Sequence, residues 1–423
     1  MTVSLPTRRV KSITDACTGL LGKSRVKIRE VARVTGLLVA ALPAVDMGKL
    51  HYRQLEKEKT NALQVAGGNF DEWMLLTEGM KSDLSWWLDN IVTQESKIFR
   101  PGTDLNLYTD ASNIGWGCSL DQRCTGGTWS LDESLLHINA LELKAILLSL
   151  QTFRRDLVGK HIKVFCDNTT AITYVNEMGG TKSPVCNSIA TEIWGWCSAH
   201  SAWVTCSHIP GKDNTIADMQ SRNFNDRHEW KLNEKIFQLL CGLFGTPVID
   251  LFASRLNRQT ATFCSWHPDP EAEYFNAFSI NWADFELVYM FPPFSLITRC
   301  LQKLRADGAR GWMIVPMWMS QPWMGHLMGM LIDHPRLIAM RKGVLTHPSS
   351  NAEHPLMRKT RLMGCLLSGN KSEHEAYLQR VRRSSWPHGL QVQRSSTARM
   401  LLDGHNFVIE GTSIPLIPMS VIL

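Results

Sequence analysis

Four acidic residues, Asp110, Glu142, Asp167 and Asp218, stand at the ends of apolar strand-like runs or at the starts of helix-like ones. A carboxylate at the end of a buried strand is poorly solvated, and several converging at one sheet edge repel one another unless cations neutralise them. Hard oxygen donors of this kind suit Mg²⁺, with Mn²⁺ as a substitute, because such ions take carboxylates, water and phosphate oxygens rather than an all-protein cage. Two ions roughly 4 Å apart can activate a water and stabilise the leaving oxygen, so the chemistry to expect is phosphodiester hydrolysis. Each acid also has a plainer reading. Asp110 and Asp167 suit strand-end turns, Glu142 stands three after Asn139 as in a capping box, and Asp218 suits the first turn of a helix. The joint placement of all four in one region favours the site.

The segment 208–218 adds to the case. His208 leaves a strand into a Pro210-Gly211 turn, where its imidazole could carry a proton to or from a reacting oxygen. Asn214 is placed either to cap the helix that follows or to hold the loop.

These residues need a scaffold. The chain has 423 residues, with 44% hydrophobic and 20% charged, which suits a packed protein of two to four domains at about 150 residues each. A net charge of +6 leans mildly toward polyanionic partners. Eleven cysteines without a CxxC pair, and no signal-peptide pattern, argue against a secreted disulfide scaffold. The apolar runs 36–45 and 312–332 are too short or too interrupted to span a bilayer, so no membrane segment is expected.

Residues 1–100 read as a helical segment, with helices over 10–21, 28–42 and 71–91; the last has Trp73, Leu76, Met80, Leu84, Trp87 and Leu88 at helical spacing, expected as core. The first thirty-odd residues are rich in Arg and Lys, a solvated basic face or one that lies along a phosphate backbone. From 101 to 223 the texture becomes α/β. A strand over 104–110 opens a glycine-punctuated meander, and a helix over 140–153, a strand over 162–166, helices over 169–177 and 185–199, a strand over 202–207 and a last helix from 215 follow. Strands first and alternation afterwards predict a mixed sheet flanked by helices. A polar stretch over 222–231 marks a boundary. Short buried strands over 247–252, 287–290 and 312–315 predict a second, smaller α/β domain over 224–345, and the basic residues after 346 predict a linker or tail.

Tyr108-Thr109-Asp110-Ala111-Ser112, Leu141-Glu142-Leu143-Lys144-Ala145, Phe165-Cys166-Asp167-Asn168 and the segment 208–218 stand in the order and spacing of type 1 ribonuclease H domains of retroelement polyproteins, which residues 104–222 resemble. The resemblance implies a ribonuclease H-like five-stranded mixed sheet and cleavage of the RNA strand of RNA/DNA hybrids with two Mg²⁺ ions. It makes Asp110, Glu142, Asp167 and Asp218 the metal ligands and His208 the mobile histidine. Ser112, Asn113 and Asn168, beside the carboxylates, are candidates for contacts to the hybrid's 2′-hydroxyls, with Asn214 also in the substrate-binding set.

The flanks extend the likeness. The segments Leu50-His51-Tyr52-Arg53-Gln54-Leu55-Glu56 and Ser85-Trp86-Trp87-Leu88 resemble the region joining polymerase to ribonuclease H in DIRS-type retroelements. This implies the polymerase portion of the parent polyprotein as a partner and an intracellular setting, nucleus or cytoplasm. The polymerase's paired aspartates are absent from the sequence, so DNA synthesis by this chain is not expected. Asp250-Leu251-Phe252-Ala253-Ser254 and Phe291-Pro292-Pro293-Phe294 are similar to the methyltransferase-like, Rossmann-like domain of the same elements. Phe291 cannot accept the hydrogen bond from a target amine, and no glycine-rich turn follows Asp250, so a degenerate domain with no assigned cofactor residues is expected. A catalytically silent nucleic-acid scaffold and a DNA adenine methyltransferase-like protein are the competing readings.

Overall fold

The structure is a computed structural model that describes residues 1–100, 102–224, 229–339, 341–350, 352–356, 360–384, 406–409 and 412–419. The chain divides into two compact units, Met1–Phe224 and Asn225–Leu423.

The first unit opens with a helical segment: β1 (Thr2–Ser4), α1 (Thr7–Leu21), β2 (Arg25–Lys27), α2 (Ile28–Ala41), α3 (Arg53–Val65), β3 (Trp73–Leu75), α4 (Glu78–Asn90) and β4 (Glu95–Lys97). Ile13, Cys17 and Leu20 of α1, and Val31, Val34 and Leu38 of α2, recur every three or four residues, and each helix buries one stripe in a core that also holds Leu84 and Trp87 of α4. The helix expected over 71–91 is shorter. Residues 73–75 instead form β3, antiparallel to β2, and Thr77 starts α4 by accepting from the Met80 N–H. Period-two alternation wins locally: Met74 is buried while Trp73 is 55% exposed, so Trp73 is not core. The sequence reading has no helix at α3, because Leu55 is the one residue that α3 buries and no apolar stripe marks it.

Asp83 of α4 is buried, and its Oδ2 accepts the Gln54 and Leu55 N–H groups at 2.9 and 3.1 Å, closing the first turn of α3. Burial pushes Asp83 up to about 7 despite these two bonds.

The rest of this unit comprises β5 (Leu105–Ala111), β6 (Gly115–Leu120), β7 (Arg123–Thr128), α5 (Ile138–Thr152), α6 (Arg154–Leu157), β8 (His161–Cys166), α7 (Thr169–Asn176), α8 (Pro184–Ala199), β9 (Trp203–His208) and α9 (Thr215–Arg222). The five strands form one mixed sheet in the order β7-β6-β5-β8-β9. The meander β5-β6-β7 is antiparallel, whereas β8 runs parallel to both β5 and β9. Helix α5 buries nearly every residue from Ala140 to Leu150. Helix α9 lies directly on the meander: a Cβ at Gly117 would overlap the Ala217 carbonyl and the Ser221 N–H, so only glycine lets the two backbones approach.

In the second unit a six-stranded sheet has the order Ile249–Asp250, Val288–Met290, Arg310–Pro316, Arg361–Ser368, Arg336–Ala339, Ile417–Pro418. The first three strands are parallel, and Arg361–Ser368 is antiparallel to both its neighbours. The sheet is therefore mixed. It also corrects the expectation of a linker or tail after 346. Residues 361–368 form an inner strand with Leu362, Met363, Cys365 and Leu367 buried, and Lys371–Ser384 is a helix. Charge counted over a long window masks that short apolar run. Asn225, Asp226, Arg227 and His228 of the expected boundary, and Arg358, Lys359, Arg394 and Arg399 of the expected tail, lie outside the described residues.

Two outcomes follow from this packing. An unfolded aspartate releases its proton near 3.8 while folded Asp83 keeps it to about 7. Its stabilising contribution is therefore complete below the lower value and lost as pH rises through the higher one. Urea midpoints at about pH 5 and pH 7.5 should fall further for the wild type than for Asp83→Asn, and equal falls would contradict this. Gly117→Ala should cost about 1–3 kcal/mol by forcing α9 off the sheet, and an unchanged urea midpoint would exclude that close approach.

Candidate active site

The sheet brings the four acids to one edge. Asp110 is the penultimate residue of β5, Glu142 lies in the second turn of α5, Asp167 follows β8 directly, and Asp218 is in the first turn of α9. Asp110 and Glu142 are 5% and 3% exposed; Asp167 and Asp218 are more open. The charges are felt mutually. Burial pushes Asp110 up to about 6, with Asp167 and Asp218 adding to the rise and the Ser221 hydroxyl and Arg222 opposing it. Burial likewise pushes Glu142 up to about 8, reinforced by Asp110 and Asp167 and opposed by the Cys166 thiol and the Ala111 N–H. Among the described residues the countercharge at these acids is Arg222, whose Nε donates to Asp218 Oδ1 at 2.7 Å, both side chains being largely in solvent. The pocket is thus rich in carboxylate oxygens and poor in positive charge.

The capping-box reading of Glu142 does not hold. His137 caps α5, its Nδ1 accepting the Asn139 N–H at 3.2 Å, and Glu142 turns inward. Asn139 instead accepts from Asn168 Nδ2 at 2.9 Å, tying the start of α5 to the start of α7 beside Asp167.

Three residues that the sequence reading did not single out complete the arrangement. The Cys166 thiol donates to Glu142 Oε2 at 3.6 Å, and one donor atom from each of Glu142, Cys166 and Asp167 lies within 4.8 Å of the others. Ser221, fully buried, donates its hydroxyl to Asp110 Oδ2 at 2.6 Å, with the Asp218 carbonyl at 2.9 Å. Spacing held the signal: Cys166 continues the buried alternation of Ile162 and Val164 into Asp167, and Ser221 and Arg222 stand three and four residues after Asp218 on one helix face.

The expected substrate contacts divide. Ser112 is 6% exposed; its hydroxyl donates to the Ser221 carbonyl at 2.6 Å and accepts from the Ile114 and Gly115 N–H groups, so it is a structural residue, closed to a ligand. Asn214 is 2% exposed and donates to the Thr109 carbonyl at 2.9 Å, which makes it a loop holder without a side-chain cap. Asn168 caps α7 through the Ala171 N–H and stays partly open. Asn113 is exposed on the β5-β6 turn. His208 ends β9, exposed, in register with Cys166 on the adjacent parallel strand, and so stands next to the strand end that leads to Asp167. A groove of about 510 Å³ opens beside this edge, with Asn139, Thr170, Tyr174 and Lys182 on its walls.

The donor set fits a divalent cation. It offers several carboxylates, two of them buried with their ionised forms disfavoured, and a hard cation relieves both the burial cost and the mutual repulsion. In the second unit Asp250 is 2% exposed, its oxygens taken by the Phe252 and Gln259 N–H groups. Phe291, Pro292, Pro293 and Phe294 line a cavity of about 200 Å³ with Trp230 and His354.

Residues 100–187 match the family described as the RNase H-like domain found in reverse transcriptase. Enzymatic polyproteins of cauliflower mosaic virus, strains D/H and Strasbourg, are each 30% identical over 138 residues, 30% of this chain and 20% of theirs. The match thus spans about a fifth of the length of these relatives. Among solved structures, RNase H1 of Halobacterium salinarum is 18% identical at a TM-score of 0.24, over 27% of this chain and 92% of that one. LC11-RNase H1 in complex with an RNA/DNA hybrid is 19% identical at 0.24, over 28% and 93%. The foamy viral protease-reverse transcriptase in complex with an RNA/DNA hybrid is 13% identical at 0.21, over 54% and 31%. The middle of the chain therefore carries an RNase H-like domain of the kind found in reverse transcriptase polyproteins.

Proposed function

We propose that this chain is a piece of a DIRS-type retroelement polyprotein whose middle domain hydrolyses the RNA strand of RNA/DNA hybrids with two divalent ions, Mg²⁺ or in its place Mn²⁺. The supporting observation is the gathering of Asp110, Glu142, Asp167 and Asp218 at one sheet edge with little countercharge, two of them pushed well above the usual carboxylate range. In this reading these four residues hold the ions. When bound, such ions supply an acidified water and countercharge for the phosphate oxygens.

The chain's own residues do the rest. Ser221 fixes one oxygen of Asp110 and leaves the other for an ion. The Ala111 N–H and the Cys166 thiol orient Glu142, and Arg222 orients Asp218. His208, exposed at the rim, carries the proton at the leaving oxygen of the scissile phosphodiester. Asn113 and the groove wall at Asn139 and Thr170 meet the hybrid's sugar edges, where a 2′-hydroxyl distinguishes RNA from DNA. The polymerase portion of the parent polyprotein delivers the hybrid. The second unit is a degenerate methyltransferase-like domain in this reading, since Phe291 offers no acceptor and the Asp250 carboxylate is already engaged.

Asp110→Asn and Asp167→Asn should each abolish Mg²⁺-dependent cleavage of a labelled RNA/DNA hybrid by the purified chain. Unchanged cleavage by both variants would refute the assignment. Hybrid binding by the wild type without cleavage in Mg²⁺ or Mn²⁺ would favour the silent scaffold instead. His208→Ala should lower kcat by roughly 10²-fold, the usual worth of a general acid, with little change in hybrid affinity; a purely binding defect would remove His208 from the proton-transfer step.

A further inference from the structure

Residues 47–53 belong to the helical segment by sequence but press against the ribonuclease H-like fold. Leu50 is 7% exposed within the hydrophobic core formed by the five-stranded sheet and its helices, with Met47 packed against it. On either side of Leu50 two cations reach one residue. Lys49 Nζ lies 3.0 Å from Glu177 Oε2, and Arg53 Nη2 donates to the Glu177 main-chain carbonyl at 2.5 Å. Glu177 is the residue that closes α7. Its carbonyl is one of those a helix end leaves without an intrahelical partner, and two cations there also suit the negative end of the helix dipole.

The other end of α7 adjoins the site. Asn168 caps it and bonds Asn139 of α5, and Asp167 is the residue immediately before that cap. Between the ends, Asn176 exchanges two hydrogen bonds with the Cys206 main chain of β9, and Trp194 of α8 donates to the Val175 carbonyl. The cations are themselves anchored. Asp83 holds the first turn of α3, where Arg53 stands, and Trp87 Nε1 donates to the His51 carbonyl at 2.9 Å. A continuous set of hydrogen bonds thus runs from α4, through residues 51–55, to the far end of the helix that starts beside Asp167.

We infer that Lys49 and Arg53 are positioning residues, through which the helical segment braces α7 and so fixes where Asp167 presents its carboxylate. The inference rests on reading Asp167 as an ion ligand. An exposed ion pair such as Lys49–Glu177 contributes little to stability. Its consequence is geometric, because it adds to the hold that Cys206 and Trp194 already have on the C-terminal end of α7 and ties that end to the helical segment.

The test uses the full chain and two readouts, Mn²⁺ affinity by calorimetry and hydrogen exchange of the α7 amides. Arg53→Ala should weaken Mn²⁺ binding roughly 2- to 30-fold, the range of coupling carried through a packed network, and speed exchange in α7 while α8 keeps its protection. Arg53→Lys should recover part of the affinity. The exchanged pair Lys49→Glu with Glu177→Lys should bind Mn²⁺ more tightly than either single variant. Wild-type affinity in Arg53→Ala, or equal loss of protection in α7 and α8, would overturn the brace. If the wild type binds no Mn²⁺, the ion-site reading fails by itself; the brace then stands or falls on α7 exchange in Arg53→Ala, where unchanged exchange overturns it.

Discussion

Like charges held close together in a poorly solvated pocket are costly, and the first unit is built around that cost. Asp110 and Glu142 are nearly removed from water; Asp167 disfavours the ionisation of both, and Asp110 that of Glu142 as well. A protein gains nothing in stability from such an arrangement, and a core of similar shape without it would be more stable. Its persistence in a fold this well packed argues for a ligand of opposite charge that the carboxylates are shaped to receive.

The architecture serves that pocket. Parallel β5 and β8 end at the same edge, which places Asp110 and Asp167 side by side. Helix α5 crosses beneath them with Glu142 turned inward, and α9 closes over the meander at glycine distance to add Asp218 and the Ser221 hydroxyl. The Ser112 hydroxyl in turn donates to the Ser221 main chain. Ser221, Cys166 and Arg222 are therefore spent on the carboxylates and Ser112 and Asn214 on the backbone beside them, which leaves His208, Asn113 and the groove wall as the parts open to a substrate.

Much of this was legible in the residues alone. The strands β5, β8 and β9 have plain alternation, and the four acids follow recognisable punctuation, so their convergence could be anticipated. The failures have physical causes. Trp73 fits a helical spacing with Leu76 and Met80, yet strand pairing with Lys27 places it outward. Helix α3 buries too little to show a stripe and depends on Asp83, 28 and 29 residues away from Leu55 and Gln54, for its first turn. Ser112 and Asn214 are polar neighbours of acids, and polar neighbours look alike whether they face a substrate or the backbone; only tertiary structure separates the two. The strand Arg361–Ser368 was hidden by charged residues on either side of a short apolar run.

The central claim is that divalent ions occupy the space between these carboxylates, and anomalous diffraction from crystals of the full chain soaked in Mn²⁺ tests it most directly. The account predicts manganese peaks bounded by oxygens of Asp110, Glu142, Asp167 and Asp218, with Ser221 still on Asp110. Carboxylates that stay unliganded at saturating Mn²⁺, or Asp110, Glu142 or Asp167 turned away to pair with lysine or arginine, would contradict it.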